Sequence, residues 1–331
     1  MKLSDFDYAL PKELIAQYPA KKRDSSRLLV LNRNSGKIAH RIFGDIVDYF
    51  KKGDLLVLND TQVLPARLIG KKNTGGKVDC LLLEKKSDRE FCALLRPTDI
   101  KPGTAINFNG AKIRATVIDK RTLRFNTVDI NKIYGKGVMP LPPYIKRTPE
   151  NFDSKRYQTV YAKNPGAIAS PTAGLHFTKG LLKKIKAKGV GIAFLTLHVN
   201  YATFNPVKEE EITRHKMYKE KFSIPKSTLE AIKNAKQTGN KVIAVGTTSA
   251  RVLETIADLP TTYEGYTDLF IYPGYEFKIV DCLLTNFHLP RTTLLMLVNA
   301  FAGVDNLRQA YRQAIAEKYR FYSYGDAMLI I

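Results

Sequence analysis

Apolar and polar residues follow three different patterns along this chain. Up to about residue 61, the apolar runs Leu28–Leu31 and Leu55–Leu58 have the length of buried strands, and Asn34–Gly36 supplies a turn between them. Residues 62–149 consist of short alternating segments, whereas residues 150–331 mix helical and strand-like periods. The chain therefore divides into a first segment, a β-rich middle and an α/β remainder.

The middle region predicts a small antiparallel β-barrel. Its strand candidates are residues 66–72, 78–86, 90–97, 105–110, 112–119 and 122–127. Turn residues at Asn73–Gly76, Lys101–Gly103 and Asn109–Gly110 separate these candidates, and no helical segment intervenes, which is typical of a small barrel. A proline-rich stretch, residues 137–149, is then expected to be the extended linker that leads from the barrel back to the rest of the protein.

After residue 150 the pattern is that of an α/β protein. Strands are expected at residues 190–199, 241–245, 269–272, 279–284 and 327–331. Helices are expected at residues 227–238, 247–256, 293–302 and 306–319, the first of them with a capping box formed by Ser227 and Glu230. We therefore predict an α/β main domain, residues 1–61 and 150–331, with an inserted small antiparallel β-barrel domain, residues 62–149.

The segment ASPTAGLHFT, residues 169–178, leads into a further helix. Thr178 is placed to cap that helix, while Pro171 fixes φ and Gly174 allows a close backbone approach. The pattern indicates a shaped loop that holds His176 at the start of the helix. An ordinary turn with a packed histidine is the alternative.

Three histidines lie in loops that are expected at strand ends: His176, His198 and His288. Loops at the strand ends of an α/β sheet converge on one crevice, so these imidazoles are candidates for acid–base chemistry. No two histidines have the spacing of a familiar metal motif, and we therefore expect no metal site.

A second candidate site follows the strand at residues 241–245. Gly246, Thr247, Thr248 and Ser249 begin a helix, where hydroxyls and free N–H groups favour an anion, and Arg251 lies in its first turn. Plain helix capping is the alternative. The segment lacks the GKT of a P-loop, and the chain has no GxGxxG, which argues against a nucleotide triphosphate or a Rossmann-type cofactor. Asn59 and Asp60 form a polar strand end that indicates either ligand contact or an Asx turn.

Charge and cysteine content indicate the partner and the compartment. The chain has 53 lysines and arginines against 31 acidic residues, a formal net charge of +22, which favours a polyanion such as nucleic acid unless it reflects a lysine-rich background composition.

Cys80, Cys92 and Cys282 are odd in number and fit reduced thiols. With no long apolar run and no secretory signal, we expect a cytoplasmic protein that has no contact with a membrane.

Long blocks of the sequence resemble the S-adenosylmethionine:tRNA ribosyltransferase-isomerase family of queuosine biosynthesis. The blocks are GDLLVLNDTQVLPARL (53–68), MPLPPYIKR (139–147), PTAGLHFT (171–178), VGTTSARVLE (245–254), TDLFIYPGYEFKIVDCLLTNFHLP (267–290) and YRFYSYGDAMLI (319–330). They occur in the family's order and cover essentially the whole chain.

The resemblance implies an α/β domain with an inserted β-barrel, and a monomeric cytosolic enzyme. The implied reaction transfers and isomerises the ribosyl part of S-adenosylmethionine onto 7-aminomethyl-7-deazaguanine at the wobble position of a tRNA. Epoxyqueuosine-tRNA forms, and adenine and methionine leave. S-adenosylmethionine is then a co-substrate, and no bound cofactor is expected.

On that resemblance, we assign hypothetical roles to residues of the matching blocks. His176 and His198 act as base and acid in an undetermined order, and His288 positions the ribose or adenine. The remaining site residues are those expected to bind the methionine carboxylate (Thr247, Thr248, Arg251), those expected to line the substrate base (Asn59, Asp60, Arg67), and further substrate-binding residues (Thr172, Gly174, Asn286). Asp268, Asp281 and Asp326 are candidates for orienting an imidazole.

The chain departs from the family pattern at two places. Residues 197–204 read LHVNYATF, where the family has LHVGxGTF, so Asn200, Tyr201 and Ala202 remove both glycines. Lys216-Met217-Tyr218 replaces a His-Met-His sequence. These changes leave open a non-catalytic RNA-binding protein as an alternative. A methyltransferase is a third hypothesis, against which the missing glycine-rich loop argues.

Overall fold

The computed structural model describes residues 1–108, 112–200, 207–259 and 263–331. The strands are β1 (Arg27–Leu31), β2 (Ile38–Ile42), β3 (Leu55–Asn59), β4 (Thr61–Val63), β5 (Arg67–Lys72), β6 (Lys77–Lys85), β7 (Glu90–Arg96), β8 (Ala105–Phe108), β9 (Ile113–Asp119), β10 (Thr122–Phe125), β11 (Asn164–Ala167), β12 (Gly191–Leu197), β13 (Glu220–Ser223), β14 (Val242–Val245), β15 (Glu264–Thr267), β16 (Cys282–Asn286) and β17 (Ala327–Ile330). The α-helices are α1 (Ile130–Tyr134), α2 (Asp153–Arg156), α3 (Lys179–Ala187), α4 (Lys226–Gln237), α5 (Thr247–Ala257), α6 (Thr293–Ala302) and α7 (Val304–Ala316).

Nine of these strands form one mixed sheet, in the order β15-β13-β12-β3-β14-β16-β17-β1-β2. Its central strands are continuous apolar runs because both faces of the sheet are covered. Along β1, Leu29 and Leu31 pack into the core on one face of the sheet, while Leu28 and Val30 pack into the core on the other. The sheet is therefore the middle layer of a three-layer α/β arrangement.

Strand direction brings several loops to one edge of the sheet. Strands β3, β12, β14 and β16 are parallel, so the residues that follow them lie at the same edge. Strand β17 runs antiparallel to β16, with Ala327 opposite Asn286, and β1 pairs parallel with β17. The segment that precedes β17 and Ser26, just before β1, therefore meet the other loops at this edge.

Six further strands, all predicted from the sequence, close into an antiparallel barrel in the order β10-β7-β6-β5-β8-β9, and β4 and β11 pair as a separate two-stranded sheet. Its interior is a separate apolar core that contains Val78, Phe91, Phe108 and Phe125. Strand β5 lies close to β8, since a Cβ added at Gly70 would lie 2.6 Å from Ile106 Cγ2. The prediction of an α/β fold with a small antiparallel barrel is confirmed, whereas the domain boundaries at residues 62 and 149 stay a prediction.

Several local expectations were wrong or incomplete. Residues 269–272 do not form a strand; the edge strand is β15, which precedes them and pairs with β13. Helix α4 begins at Lys226 after Pro225, and no side chain caps it, so Ser227 lies inside the first turn instead of starting a capping box. The predicted turn at Asn109–Gly110 lies outside the described residues. Strands β2 and β13 were missed: the edge strand β2 has no buried residue, and β13 has only four residues, of which two are buried.

The three cysteines carry free thiols, in agreement with the expectation of reduced residues. Within the described ranges, no helix has the length and apolarity that crossing a membrane requires.

Candidate active site

A pocket opens at the edge of the sheet where these loops meet. It encloses about 740 Å³ of empty space counted to its open mouth. The pocket is lined by Tyr144, Ala169, Ser170, Pro171, Thr172, Ala173, Val199, Gly246, Thr247, Thr248, Thr285, Asn286, His288, Leu289, Thr292, Leu294, Tyr322 and Ser323. The walls are mostly apolar, with a few polar groups that converge on one space, which is the usual composition of a small-molecule site.

The start of α5 forms one side of this pocket. Gly246, the residue before the helix, has φ +89°, a conformation that favours glycine, and it turns the chain sharply from β14 into the helix. Thr247 and Thr248 line the pocket at this helix start, and Thr248 Oγ1 accepts a 3.3 Å hydrogen bond from Asn59 Nδ2. The positive end of an eleven-residue helix dipole therefore faces the cavity, as the sequence predicted for an anion.

Three polar atoms in the pocket wall have no hydrogen-bond partner within the described residues. They are Ser170 Oγ, Asn286 Oδ1 and the Tyr322 hydroxyl, and each side chain is more than nine-tenths buried. A buried polar group without a partner costs about 1–3 kcal/mol, so such groups are rare unless a ligand supplies the missing bond. Three of them in one wall indicate a ligand with several hydrogen-bonding groups.

The orientation of the Asn286 amide follows from its neighbours. Its Nδ2 lies 3.1 Å from His176 Nε2 and donates to the backbone carbonyls of Tyr322 at 3.2 Å and Asp326 at 3.4 Å. Because the two carbonyl oxygens can only accept, nitrogen and not oxygen must face them. The Oδ1 atom is therefore the one left without a partner.

His176 lies behind Asn286 and outside the pocket lining. Since Asn286 donates to Nε2, the Nδ1 atom carries the proton and donates to Ser26 Oγ over 2.7 Å. The ring stacks on Phe43 with centroids 4.9 Å apart. Burial, followed by the nearby charges of Arg320 and Arg23, lowers the pKa of His176 to about 3, so the imidazole is neutral at physiological pH.

The base or acid role expected for His176 stays a prediction, but the structure places this residue outside the lining of the main pocket. Both ring nitrogens are already bonded to the protein, and the side chain holds Asn286 in place. The shaped loop is as predicted: residues 172–176 form a 3-10 turn, and Thr178 Oγ1 caps α3 by accepting from the backbone N–H of Leu181. The difference from the expectation is the position of the His176 imidazole, which does not line the main pocket.

His288 is the histidine that lines the pocket. Its Nε2 lies 2.7 Å from Thr285 Oγ1, and its backbone is held by the hydroxyls of Tyr311 and Tyr8. Burial lowers the pKa of His288 to about 3. Within the described part of the chain, Nδ1 makes no hydrogen bond, so this atom remains available to a ligand.

His198 does not line the pocket either. Its Nδ1 lies 2.8 Å from Thr61 Oγ1, and its ring packs on the backbone of Gly166, where an added Cβ would lie 2.7 Å from the ring. Burial and the charge of Lys221 lower the pKa of His198, against the opposing effect of Asp60.

Asn59 and Asp60 are engaged in structural contacts. Asn59 Oδ1 accepts from the backbone N–H groups of Thr61 and Leu197, each at 3.1 Å. Asp60 accepts from Thr196 Oγ1 at 2.6 Å and from Asn164 Nδ2 at 3.0 Å. These contacts join β3 to β12 and β11, and neither residue lines the pocket. The expectation that they contact a substrate stays a prediction.

The two arginines assigned from the sequence lie away from the pocket. Arg251 forms a buried ion pair with Glu220 and donates to the backbone carbonyl of Leu269, so its charge is compensated without an anionic ligand. Arg67 lies in the barrel, where its guanidinium forms a forked pair with Asp79. In this structure Arg251 does not line the pocket, and Arg67 lies in a separate cleft beside Arg96. Their expected substrate contacts stay predictions.

Of the remaining predicted residues, Thr172 lines the pocket and Gly174 does not. Gly174 is required for packing, because an added Cβ would lie 2.1 Å from the Tyr161 hydroxyl. No candidate aspartate bonds to a histidine: Asp281 pairs with Lys236, and Asp326 pairs with Arg320. Asp268 is exposed.

Two aromatic residues of the pocket were missed from the sequence. The rings of Tyr144 and Tyr322 lie 4.1 Å apart, and Tyr322 has φ +73°, which is unusual for an aromatic residue. Tyr144 belongs to the proline-rich stretch that was interpreted as a linker, and Tyr322 to the turn-rich sequence YSYGD before β17. The signal that could have identified them is an aromatic residue next to rigid prolines or within a tight turn.

The loop that departs from the family pattern is described only at its start. The backbone N–H of Asn200 donates to Glu220 Oε1 at 2.9 Å. Tyr201 and Ala202 lie outside the described residues. In the part of the chain that the structure describes, no cluster of three or more histidine, cysteine, aspartate or glutamate residues is suited to a metal ion.

Comparison with known proteins gives consistent matches over the whole chain. The profile of the family described as "Queuosine biosynthesis protein" matches residues 3–330. The chain is 55% identical over 337 residues to a Sulfurihydrogenibium protein named S-adenosylmethionine:tRNA ribosyltransferase-isomerase, with 100% of both chains covered. A Thermotoga maritima protein of the same name is 51% identical over 339 residues, again with 100% of both covered. A crystal structure of S-adenosylmethionine tRNA ribosyltransferase from Thermotoga maritima aligns with a TM-score of 0.59 and 42% identity, covering 99% of this chain and 100% of that one.

Proposed function

Because this chain belongs to the queuosine biosynthesis protein family, we propose that it is an S-adenosylmethionine:tRNA ribosyltransferase-isomerase. The enzyme transfers and isomerises the ribosyl part of S-adenosylmethionine onto 7-aminomethyl-7-deazaguanine at the wobble position of tRNA. Adenine and methionine are released, and epoxyqueuosine-tRNA is formed. The observation that carries this function in the structure is the pocket with three unpartnered polar atoms beside the start of α5.

The pocket has groups suited to each part of S-adenosylmethionine. The helix start with Thr247 and Thr248 suits the methionine carboxylate, because N-terminal helix dipoles attract anions. The faces of Tyr144 and Tyr322 suit the sulfonium cation. Asn286 Oδ1 and the hydroxyls of Ser170 and Tyr322 provide hydrogen bonds for the ribose and adenine.

His288 is the proposed proton carrier of this site. The sulfonium makes the neighbouring C5′ hydrogens acidic, and a positioned base removes one of them to give an ylide. When Nε2–H of His288 donates to Thr285, Nδ1 has a free lone pair for that proton. Burial lowers the pKa of His288, so the imidazole is neutral with its Nδ1 lone pair free, and the proton it takes up can be returned to the departing adenine. The neutral amine of the substrate base then attacks the ribosyl carbon and loses a proton. A ribosyl oxygen displaces the sulfur to close the epoxide, so methionine leaves with the electron pair of the broken carbon–sulfur bond.

His176 and Asn286 support this chemistry without touching the transferred proton. His176 fixes the amide of Asn286, which presents Oδ1 to the ligand. The roles first expected for His198, Asn59 and Asp60 become the stabilisation of the sheet edge on which the pocket is built.

The finer features are part of the same proposal. We infer that the enzyme is a cytoplasmic monomer that uses S-adenosylmethionine as co-substrate and holds no cofactor. The net charge of +22 supports a tRNA partner, because Lys and Arg side chains attract the phosphate backbone.

Product release tests the function directly. The protein is incubated with S-adenosylmethionine and tRNA that carries 7-aminomethyl-7-deazaguanine, and small molecules are separated by chromatography. We expect adenine and methionine in equal amounts, in step with modification of the tRNA. S-adenosylhomocysteine would instead indicate a methyltransferase, and tRNA binding without adenine release would indicate a binding protein.

A further inference from the structure

Two half-buried arginines lie next to the main pocket. Arg23, in a short 3-10 turn before β1, and Arg156, at the end of α2, line a second, smaller pocket. His176 and Ser323 also line this pocket, and Ser323 belongs to the wall of both. We call this smaller space the arginine pocket.

The two guanidinium groups hold the walls of the arginine pocket together. Arg23 donates to the backbone carbonyls of Leu175 at 2.9 Å and Lys155 at 2.7 Å. Arg156 donates to those of Lys21 at 3.1 Å and Ala20 at 2.6 Å. Each guanidinium has five N–H donors, so about three on each remain after these bonds. One of them, Arg156 Nε, is buried without a partner in the described residues.

Neither arginine has a carboxylate partner among the described residues, whereas neighbouring arginines do. Arg147 is paired with Asp153, and Arg320 is paired with Asp326. Burial and then the charge of Arg156 lower the pKa of Arg23, and burial lowers the pKa of Arg156. Two adjacent cations that are half-buried and uncompensated form a site that an anion would stabilise.

We propose that Arg23 and Arg156 bind a backbone phosphate of the tRNA, adjacent to the nucleotide that enters the main pocket. Planar guanidinium forks match the oxygens of a phosphate, and the free donors are those left after the backbone contacts. Ser323 lines both pockets, so a nucleotide that enters the main pocket places its phosphate near the arginine pocket. The assignment rests on the proposed function for the identity of the RNA.

Binding of an anticodon stem-loop that carries 7-aminomethyl-7-deazaguanine tests this site. For Arg23→Gln and Arg156→Gln we expect about tenfold weaker RNA binding, as for loss of a charge-assisted hydrogen bond. The slope of log affinity against log salt should become shallower by about 0.7, the value for one single-stranded phosphate contact. KM for S-adenosylmethionine should change less than twofold, and Arg41→Gln, an exposed arginine on β2, should match the wild type in every measurement.

A second measurement identifies the phosphate without altering the protein. Single loop phosphates are replaced in turn by uncharged methylphosphonates, and wild-type affinity is measured for each RNA. We expect one position beside the wobble nucleotide to weaken binding about tenfold, and the two arginine variants to lose nothing further on that RNA. Arg156→Lys should keep the salt slope of the wild type while losing part of the affinity.

Three results would overturn the proposal. A raised KM for S-adenosylmethionine with unchanged RNA binding would assign the anion to the methionine carboxylate. Unchanged binding and slope in folded variants would assign the arginines to backbone contacts alone. Absence of a coupled phosphate in the methylphosphonate series would do the same. Because RNA binding is measured apart from adenine release, failure of the arginine site and failure of the proposed activity are separate outcomes.

Discussion

At the scale of single residues, the amide of Asn286 decides which histidine can reach a ligand. It uses its nitrogen for His176 and two carbonyl groups, which commits His176 to the protein and leaves Oδ1 facing the pocket. His288, three residues from Thr285, has one nitrogen anchored and one without a bond in the described structure. The imidazole that we propose as reactive and the one that we propose as supporting thus differ in their hydrogen bonds, not in residue type.

Replacement of His288 tests this separation. In His288→Gln, the side-chain amide can keep the contact with Thr285 but lacks a group equivalent to Nδ1. We expect kcat to fall about 10²–10⁴-fold, the usual contribution of a positioned acid–base group, with KM little changed. The matched control is His40→Asn. His40 lies on the edge strand β2 and contacts the Tyr319 hydroxyl, and this variant should keep the wild-type kcat. Adenine release measures both, and near-normal kcat in His288→Gln would exclude a proton-transfer role.

Removing the unpartnered hydroxyl of Tyr322 should affect protein stability and ligand binding differently. Tyr322→Phe keeps the ring contact with Tyr144 and removes a buried group without a partner in the described residues. We expect the ligand-free protein to be as stable as the wild type or up to about 1 kcal/mol more stable in urea unfolding. KM for S-adenosylmethionine should rise about tenfold, since a bond to the ligand is lost.

Tyr319→Phe is the control for that substitution, because its hydroxyl does have a partner, His40. There we expect a loss of about 1 kcal/mol of unfolding free energy with unchanged KM. A destabilised Tyr322→Phe with normal KM would mean that its hydroxyl serves the fold and not the ligand.

At the scale of elements, the sharp turn between β14 and α5 positions the helix start that we propose as the anion-binding end of the pocket. Gly246 needs its positive φ for this turn, although an added Cβ would find room, with its nearest contact at 3.5 Å from Thr248 Oγ1. The constraint is therefore in the backbone and not in the packing.

Gly246→Ala should cost about 1–2 kcal/mol of unfolding free energy through this strain. It should also raise KM for S-adenosylmethionine, because the first turn of α5 shifts. The matched control is Gly239→Ala, after α4, with φ +70° and no atom near its Cβ. That variant should lose similar stability with unchanged KM. Thermal unfolding and steady-state kinetics on both variants make the comparison, and equal KM values would show that the pocket tolerates the shift.

At the scale of the whole molecule, buried neutral histidines couple stability to pH. The pKa values of His176 and His288 are lowered to about 3 from an ordinary value of 6.5, and the pKa of His198 is lowered as well. Between these values the unfolded chain binds more protons than the folded protein, so the unfolding free energy rises with pH. Their contribution is complete above about pH 6.5 and is lost as the pH falls towards 3.

As the pH falls from about 6.5 towards 3, we expect His176 and His288 each to lower the unfolding free energy by about 1.4 kcal/mol per pH unit. Urea unfolding between pH 7 and pH 4 measures the slope. His288→Gln should remove the share of one histidine from this slope, about 1.4 kcal/mol per pH unit. A stability that does not change across the window would contradict burial of neutral imidazoles.

Much of the fold could be predicted from the sequence because its determinants are local. The six barrel strands follow from a two-residue alternation between turn signals, and α6 was predicted with its observed bounds. Residues 269–272 were mistaken for a strand because apolar residues there pack against other elements instead of pairing in the sheet. Helix α4 lacks the predicted cap because Pro225 already sets the conformation at its start.

The sequence by itself determined the fold class, the family and the loops from which the site is built, since each depends on neighbouring residues or on long matching blocks. Only the tertiary structure decided which side chains line the pocket. Arg251 is neutralised by Glu220, 31 positions away, and His176 is taken up by Asn286, 110 positions away. Hydrogen bonds and ion pairs between distant residues leave no periodic trace in the chain, and they determine which polar groups remain free for chemistry.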